Sequence, residues 1–125
     1  MIRNLAANWI EATEGQLRGF PLSAKDEDAV VGLLELILEN PGDAFEEILQ
    51  IIKRKPSERA LNRLGAGPIE ELLVSHPEFL EKLILEASDL NALKRCLTYV
   101  NADEGSALEK GLTAAINRIG DEEQQ

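Results

Sequence analysis

The chain reads as an all-α protein: a single compact domain of about seven or eight short antiparallel helices, for which an α-solenoid-like stack is one available arrangement. Three observations predict this. Leu, Ile, Ala and Glu dominate a 125-residue sequence in which only 4% of residues are aromatic, and small or unbranched side chains lose little rotamer freedom in a helix. Apolar residues recur at spacings of three and four, the period of a helix that buries one face. Prolines and capping residues fall between these periodic runs, and no run reads as a strand.

Taken in order, Ile2, Leu5, Ala6, Trp9 and Ile10 form one stripe of a first helix over residues 2–13, with Trp9 as its anchor in the core; Gly15, Gly19 and Pro21 then end it in a loop. Ser23 caps a second helix, with Asp26 three residues on at the capping-box spacing. That helix stops by Glu39, because Asn40 precedes Pro41 and a residue before proline is pushed out of the helical region. Asn40, Pro41 and Asp43 supply the N-cap, the N1 proline and the first-turn carboxylate of a third helix, which runs to Lys53 or Arg54 ahead of Pro56. Ser57 caps a short fourth helix to about Leu64, Pro68 starts a fifth and His76-Pro77 repeats the device. Ser88-Asp89 opens another that ends near Val100, and a last helix spans residues 103–119 and stops at Gly120. Segments 41–64, 68–87 and 89–119 have the look of stacked helical pairs, without a strict sequence period. The domain is expected to cover residues 1–120, followed by a disordered acidic tail at 121–125.

One helix is apolar almost all round. Over residues 29–39 (AVVGLLELILE) apolar side chains cover an arc of more than about 220° at 100° per residue. Only a narrow strip remains for Asp28, Gly32, Glu35 and Glu39, which predicts a central helix exposed along one acidic line. The segment Gly65-Ala66-Gly67 half resembles a phosphate-binding turn, but Glu70 and Glu71 fill the first turn beyond it and Pro68 lacks an N–H. No third glycine at the GxGxxG spacing, no GK[ST] and no preceding strand accompany it. It reads as a corner, with Gly65 the C′ residue of one helix, Gly67 a close turn and Pro68 the start of the next.

Several stretches resemble an uncharacterised family of small all-helical bacterial proteins: LAANWIEA (5–12), NPGDAFEEI (40–48), GAGPIEELLVSHPEFLEKLILEAS (65–88) and CLTYV (96–100). The hallmarks of that family are an early tryptophan, an Asn/Asp-Pro helix start followed by an aromatic residue, and a GPLE-LL motif. Here the motif is Gly67-Pro68-Ile69-Glu70-Glu71-Leu72-Leu73, with Ile69 where leucine is usual and His76-Pro77 where a His-Gly pair is common. The second departure bears on where the following helix starts. The resemblance runs from about Leu5 to Val100 and implies an all-helical fold and a bacterial source. It carries no known activity.

Chemistry is narrowed mainly by what is missing. The single cysteine, Cys96, precludes an internal disulfide and sits in an apolar-periodic stretch, which suits a core residue in a reducing cytoplasm. Its only conceivable histidine base, His76, is twenty residues away in a loop. Zinc ligands and the paired Glu-x-x-His motifs of a di-iron bundle are lacking, and residues 101–105 (NADEG) are too short on ligands for an EF-hand and read as a cap. Glu46-Glu47 and Glu70-Glu71 read as solvated neighbours more readily than as an acid–base pair. No apolar h-region and no run of about 20 apolar residues are present. Lys53, Arg54 and Lys55, joined by Arg59 and Arg63, form the one basic run; without interleaved aromatics, cations at a helix C-terminus are explained by the helix dipole.

What remains is charge. The formal net charge is -10, and between Asp26 and Ile52 there are eight acids (Asp26, Glu27, Asp28, Glu35, Glu39, Asp43, Glu46, Glu47) and no lysine or arginine. Such a field repels nucleic acid and anionic lipid and steers a basic protein toward it. Immunity proteins that neutralise cationic nuclease toxins are likewise small, acidic and often helical, an analogy of shape and charge alone. The expectation is a cytoplasmic protein-binding module, an immunity-type or regulatory inhibitor of a basic partner such as a nuclease toxin. Asp28, Glu35, Glu39, Asp43, Glu46 and Glu47 would bind that partner. A helical adaptor or scaffold without inhibitory activity is the alternative. No catalytic residue, metal, cofactor, nucleic acid, membrane or small-molecule ligand is expected.

Overall fold

A computed structural model describes residues 4–123. Among them every regular element is helical and none is a strand. They are α1 (Leu5–Leu17), α2 (Ala24–Glu39), α3 (Pro41–Lys53), α4 (Glu58–Leu64), a π-helical segment (Gly65–Ile69), α5 (Glu70–Ser75), α6 (Phe79–Ala87), α7 (Asn91–Thr98) and α8 (Ala107–Glu123). Ile2 of the first apolar stripe, and Gln124 and Gln125 of the acidic tail, lie outside the described residues.

The caps written into the sequence are made. Ser23 Oγ accepts from the Asp26 N–H at 3.1 Å while the Asp26 carboxylate accepts from the Ser23 N–H at 3.4 Å, closing the capping box. Asn40 joins two helices: its N–H donates to the Leu36 carbonyl at 2.7 Å, and its Oδ1 accepts from the Asp43 N–H at 3.3 Å. Ser57 caps α4 through the Ala60 N–H, and its own N–H and hydroxyl donate to Glu14 of α1 at 3.1 and 2.6 Å.

Four boundaries differ from the sequence reading. α1 passes through Gly15 and ends in a Schellman motif, in which Gly19 (φ 90°) donates to the Gln16 carbonyl and Phe20 to the Gly15 carbonyl, both at 3.0 Å. Ser88 starts no helix; its hydroxyl donates to the Leu85 carbonyl at 2.7 Å at the end of α6, and α7 begins at Asn91. α8 begins later than residue 103, because Ser106 is its cap and accepts from the Glu109 N–H at 3.1 Å. It then continues through Gly120 to Glu123.

The largest difference concerns the glycine corner, which is a helix. From Glu58 to Ser75 the chain is one helical rod whose middle five residues are π-helical. Gly65 has φ -67°, so it does not end a helix in the left-handed region. The Glu70 N–H reaches back to the Gly65 carbonyl, the i−5 bond of a π turn. A regular α-helix would drive the Pro68 ring into the carbonyl four residues back and leave that carbonyl without its donor. The wider π turn accommodates a proline in mid-helix without breaking the rod.

Packing gives Gly65 its actual role. A Cβ there would collide with the Cys96 carbonyl oxygen and meet Tyr99 Cβ at 3.0 Å. The glycine is therefore where the backbone of α7 crosses the rod at close range. α1, α2 and α3 pack on one another; the rod runs against α1, α2 and α7; α6, α7 and α8 pack together. Their inward faces form a shared core that includes Trp9, Leu33, Ile48, Leu64, Leu72, Leu83, Leu93 and Leu112. Trp9 is 3% exposed, as expected of an anchor for α1.

The expected all-round burial of α2 is corrected. Ala29, Leu33 and Ile37 are fully buried, but Val31, Leu34 and Leu38 are 49%, 37% and 60% exposed. The helix does touch α1, α3, α5 and the π segment. Those neighbours cover only one side, so the open face is an apolar crest beside an acidic line rather than an acidic line alone.

Candidate functional site

α2 and α3 are hinged at Asn40, which terminates the first and caps the second, and the two pack together with α1. Between them lies a groove of about 520 Å³, lined by Leu5, Gly32, Leu36, Glu35, Glu39, Asp43, Glu46 and Glu47. Five of the six carboxylates expected to bind a partner are thus gathered on one concave surface. Glu35 and Glu39 come from one wall, and Asp43, Glu46 and Glu47 from the other. Asp28 is exposed about two turns before Glu35 on α2 and does not line the groove. Leu5 and Leu36 supply apolar lining between the acidic walls.

The electrostatics are one-sided. Among the described residues none of Asp28, Glu35, Glu39, Glu46 or Glu47 enters an ion pair, and the Asp43 carboxylate accepts from the Asn40 side-chain amide at 2.8 Å while its N–H donates to Asn40 Oδ1. Glu35 with Glu39, and Asp43 with Glu46 and Glu47, stand at the three- and four-residue spacings where like charges on a helix each cost about 0.2–0.5 kcal/mol. Among the described residues no three carboxylates, histidines or cysteines converge to hold a metal ion. The charge is spread along a surface, a geometry suited to an extended cationic one.

The other singled-out residues lie elsewhere. Cys96 is buried in α7, and burial pushes its thiol up to about 12, so it is protonated at neutral pH and a poor nucleophile. Arg59 and Arg63 border a separate depression with Leu17, Glu58, Asn62 and Tyr99. Lys53, Arg54 and Lys55 are exposed at the end of α3, where they complement the dipole. Next to that depression Glu58 ties α4 to α7, accepting from the Tyr99 hydroxyl at 2.7 Å and from Arg95 Nε at 3.0 Å. The Tyr99 hydrogen bond, and then Arg95, hold the Glu58 carboxyl below its ordinary range, while Glu58 raises the Tyr99 phenol.

Sequence reasoning missed the crest of Val31, Leu34 and Leu38 along the groove's α2 wall. Their spacing of three and four residues was visible in the sequence. It was absorbed into an arc assumed to be buried. Among the described residues no helix is long and apolar enough to cross a membrane.

No curated protein and no solved structure matches the chain. A family model does match residues 25–110, a span that contains both walls of the groove, the crest and the π segment but excludes Trp9, the early tryptophan. On that match, the chain belongs to the Family of unknown function (DUF6869).

Proposed function

We propose that the protein is a non-enzymatic binding module that holds a basic partner protein in the α2–α3 groove and acts as an immunity-type or regulatory inhibitor of it, for example of a nuclease toxin. The observation that carries this reading is the gathering of Glu35, Glu39, Asp43, Glu46 and Glu47 around one groove with apolar lining and, among the described residues, no cation in it. Apart from Asp43, which bonds Asn40 at the start of α3, these carboxylates make no ion pair or side-chain hydrogen bond among the described residues, and complementary potential raises association rates. A bacterial cytoplasm is the proposed setting, supported by a free, buried Cys96 of the kind that reducing compartments keep reduced.

The alternative, an adaptor without inhibitory activity, is favoured by a second cleft. It is lined by Leu73, Val74, Pro77 and Leu80 on one side and by Ala102, Ala107 and Leu108 on the other. An apolar cleft separate from the acidic groove suits a protein that brings two partners together.

The test is the double variant Glu35→Lys/Glu39→Lys. Both side chains are exposed, so the fold is retained, and the new lysines face Asp43, Glu46 and Glu47 across the groove. Association with the basic protein that the wild type captures from its native cell lysate slows severely, and added salt imitates part of that loss in the wild type, because exposed charges are screened over about 8 Å at physiological ionic strength. Unchanged association kinetics in the double variant would sink the proposal.

A further inference from the structure

The crest on α2 has the geometry of a helix-packing seam. Val31, Leu34 and Leu38 stand at i, i+3 and i+7, so they lie along one line of the helix surface, about 10 Å long over two turns. All three are exposed, at 49%, 37% and 60%. This spacing is that of the a and d positions of a coiled coil and of the anchors an amphipathic helix uses in a groove. With those three at the seam, Asp28 and Glu35 fall at successive positions on one flank, while Val30 and Ile37 on the other flank are half-buried and buried. The only solvent-facing flank is therefore acidic, and it opens onto the groove that carries Glu39, Asp43, Glu46 and Glu47.

We propose that the surface recognises one amphipathic helix of the partner, docked lengthwise on α2. Its apolar stripe covers Val31, Leu34 and Leu38, and lysine or arginine along one edge of that stripe faces Asp28, Glu35 and the groove. This rests on the basic-partner reading above and specifies the recognised element within it. The apolar line selects a helix, because a three-and-four spacing matches another helix's ridge and not the period-two side chains of a strand. The acids select its charge. A second copy of this chain is a poor occupant: antiparallel packing sets Asp28 and Glu35 beside their own counterparts, and parallel packing sets them beside the flank that Val30 and Ile37 have turned inward.

Synthetic peptides of about three heptads test this on the full chain. The first carries leucine at the seam and lysine on both flanks. A second is its scramble, of identical composition without a seam, and a third replaces each lysine by glutamate. Binding is measured by fluorescence anisotropy at physiological ionic strength, on the wild type, on Val31→Ser/Leu38→Ser and on Glu35→Lys/Glu39→Lys, with circular dichroism confirming helicity of each variant. The lysine seam peptide is expected to bind the wild type, the scramble and the glutamate peptide to bind far less, and either double variant to weaken binding about tenfold or more. Equal binding of the scramble, or undiminished binding to Val31→Ser/Leu38→Ser, overturns the helix-docking inference but leaves the basic-partner reading standing. Undiminished binding to Glu35→Lys/Glu39→Lys, or no binding of either lysine peptide, overturns both.

Discussion

Alanine at Gly65 and at Gly67 should move stability in opposite directions, although the positions are two residues apart in the same π segment. Both have negative φ, so at either one alanine gains about 1 kcal/mol of helix propensity over glycine. The surroundings differ. At Gly67 a new Cβ meets nothing within 4 Å, whereas at Gly65 it collides with the Cys96 carbonyl and touches Tyr99 Cβ at 3.0 Å. Neither obstacle is the far end of a flexible side chain. α7 must back away from the rod, loosening Leu93, Cys96 and Leu97, each 1% exposed or less. Overpacking of this kind costs about 1–3 kcal/mol, and a backbone obstacle belongs at the upper end. Set against the propensity gain, Gly65→Ala should lose about 2 kcal/mol, or roughly 6–10 °C in Tm for a chain of this size, while Gly67→Ala should gain up to about 1 kcal/mol. Urea denaturation followed by circular dichroism and by Trp9 fluorescence measures both. A Gly65→Ala protein as stable as the wild type would refute the close crossing of α7. Equal losses at the two positions would show that the segment needs glycine for its backbone angles, as a corner would.

The remaining expectations concern burial, charge and pH. Trp9→Ala should cost about 3–5 kcal/mol in denaturant, since the indole is 3% exposed; a loss under about 1 kcal/mol would place Trp9 on the surface. Glu35→Lys/Glu39→Lys should leave the denaturation midpoint equal to or slightly above the wild type's, because lysine at the C-terminal end of α2 complements the helix dipole and faces Asp43, Glu46 and Glu47 across the groove; a lowered midpoint would show that those carboxylates support the fold. Glu58 has its folded-state pKa lowered by Tyr99 and Arg95, so its tie is fully present above the ordinary glutamate pKa and is lost as pH falls through the folded one. Glu58→Gln should therefore flatten part of the acid limb of the stability–pH curve, and parallel acid limbs for the two proteins would remove Glu58 from the account.

How much of this was readable in advance follows the range of the interactions concerned. Ser23 with Asp26, Asn40 with Pro41 and Asp43, and Ser57 with Ala60 involve partners within three residues of each other. Capping of this kind is settled by local sequence, so the all-helical class and the starts of α2, α3 and α4 were legible. The clustering of acids between Asp26 and Ile52 was legible too, and with it most of the residues that line the groove. Three things were decided only by tertiary packing. That Gly65 serves the close approach of the α7 backbone, and not the end of a helix, rests on a contact across about thirty residues of chain. Whether the wide apolar arc of α2 was fully buried depended on how many neighbours came to cover it, and they left Val31, Leu34 and Leu38 bare. Whether scattered carboxylates became one surface depended on the angle at Asn40 that sets α3 against α2. A one-dimensional pattern records which side chains share a face of their own helix, but the coverage of that face is a property of the other helices, and that is fixed only when the whole chain packs.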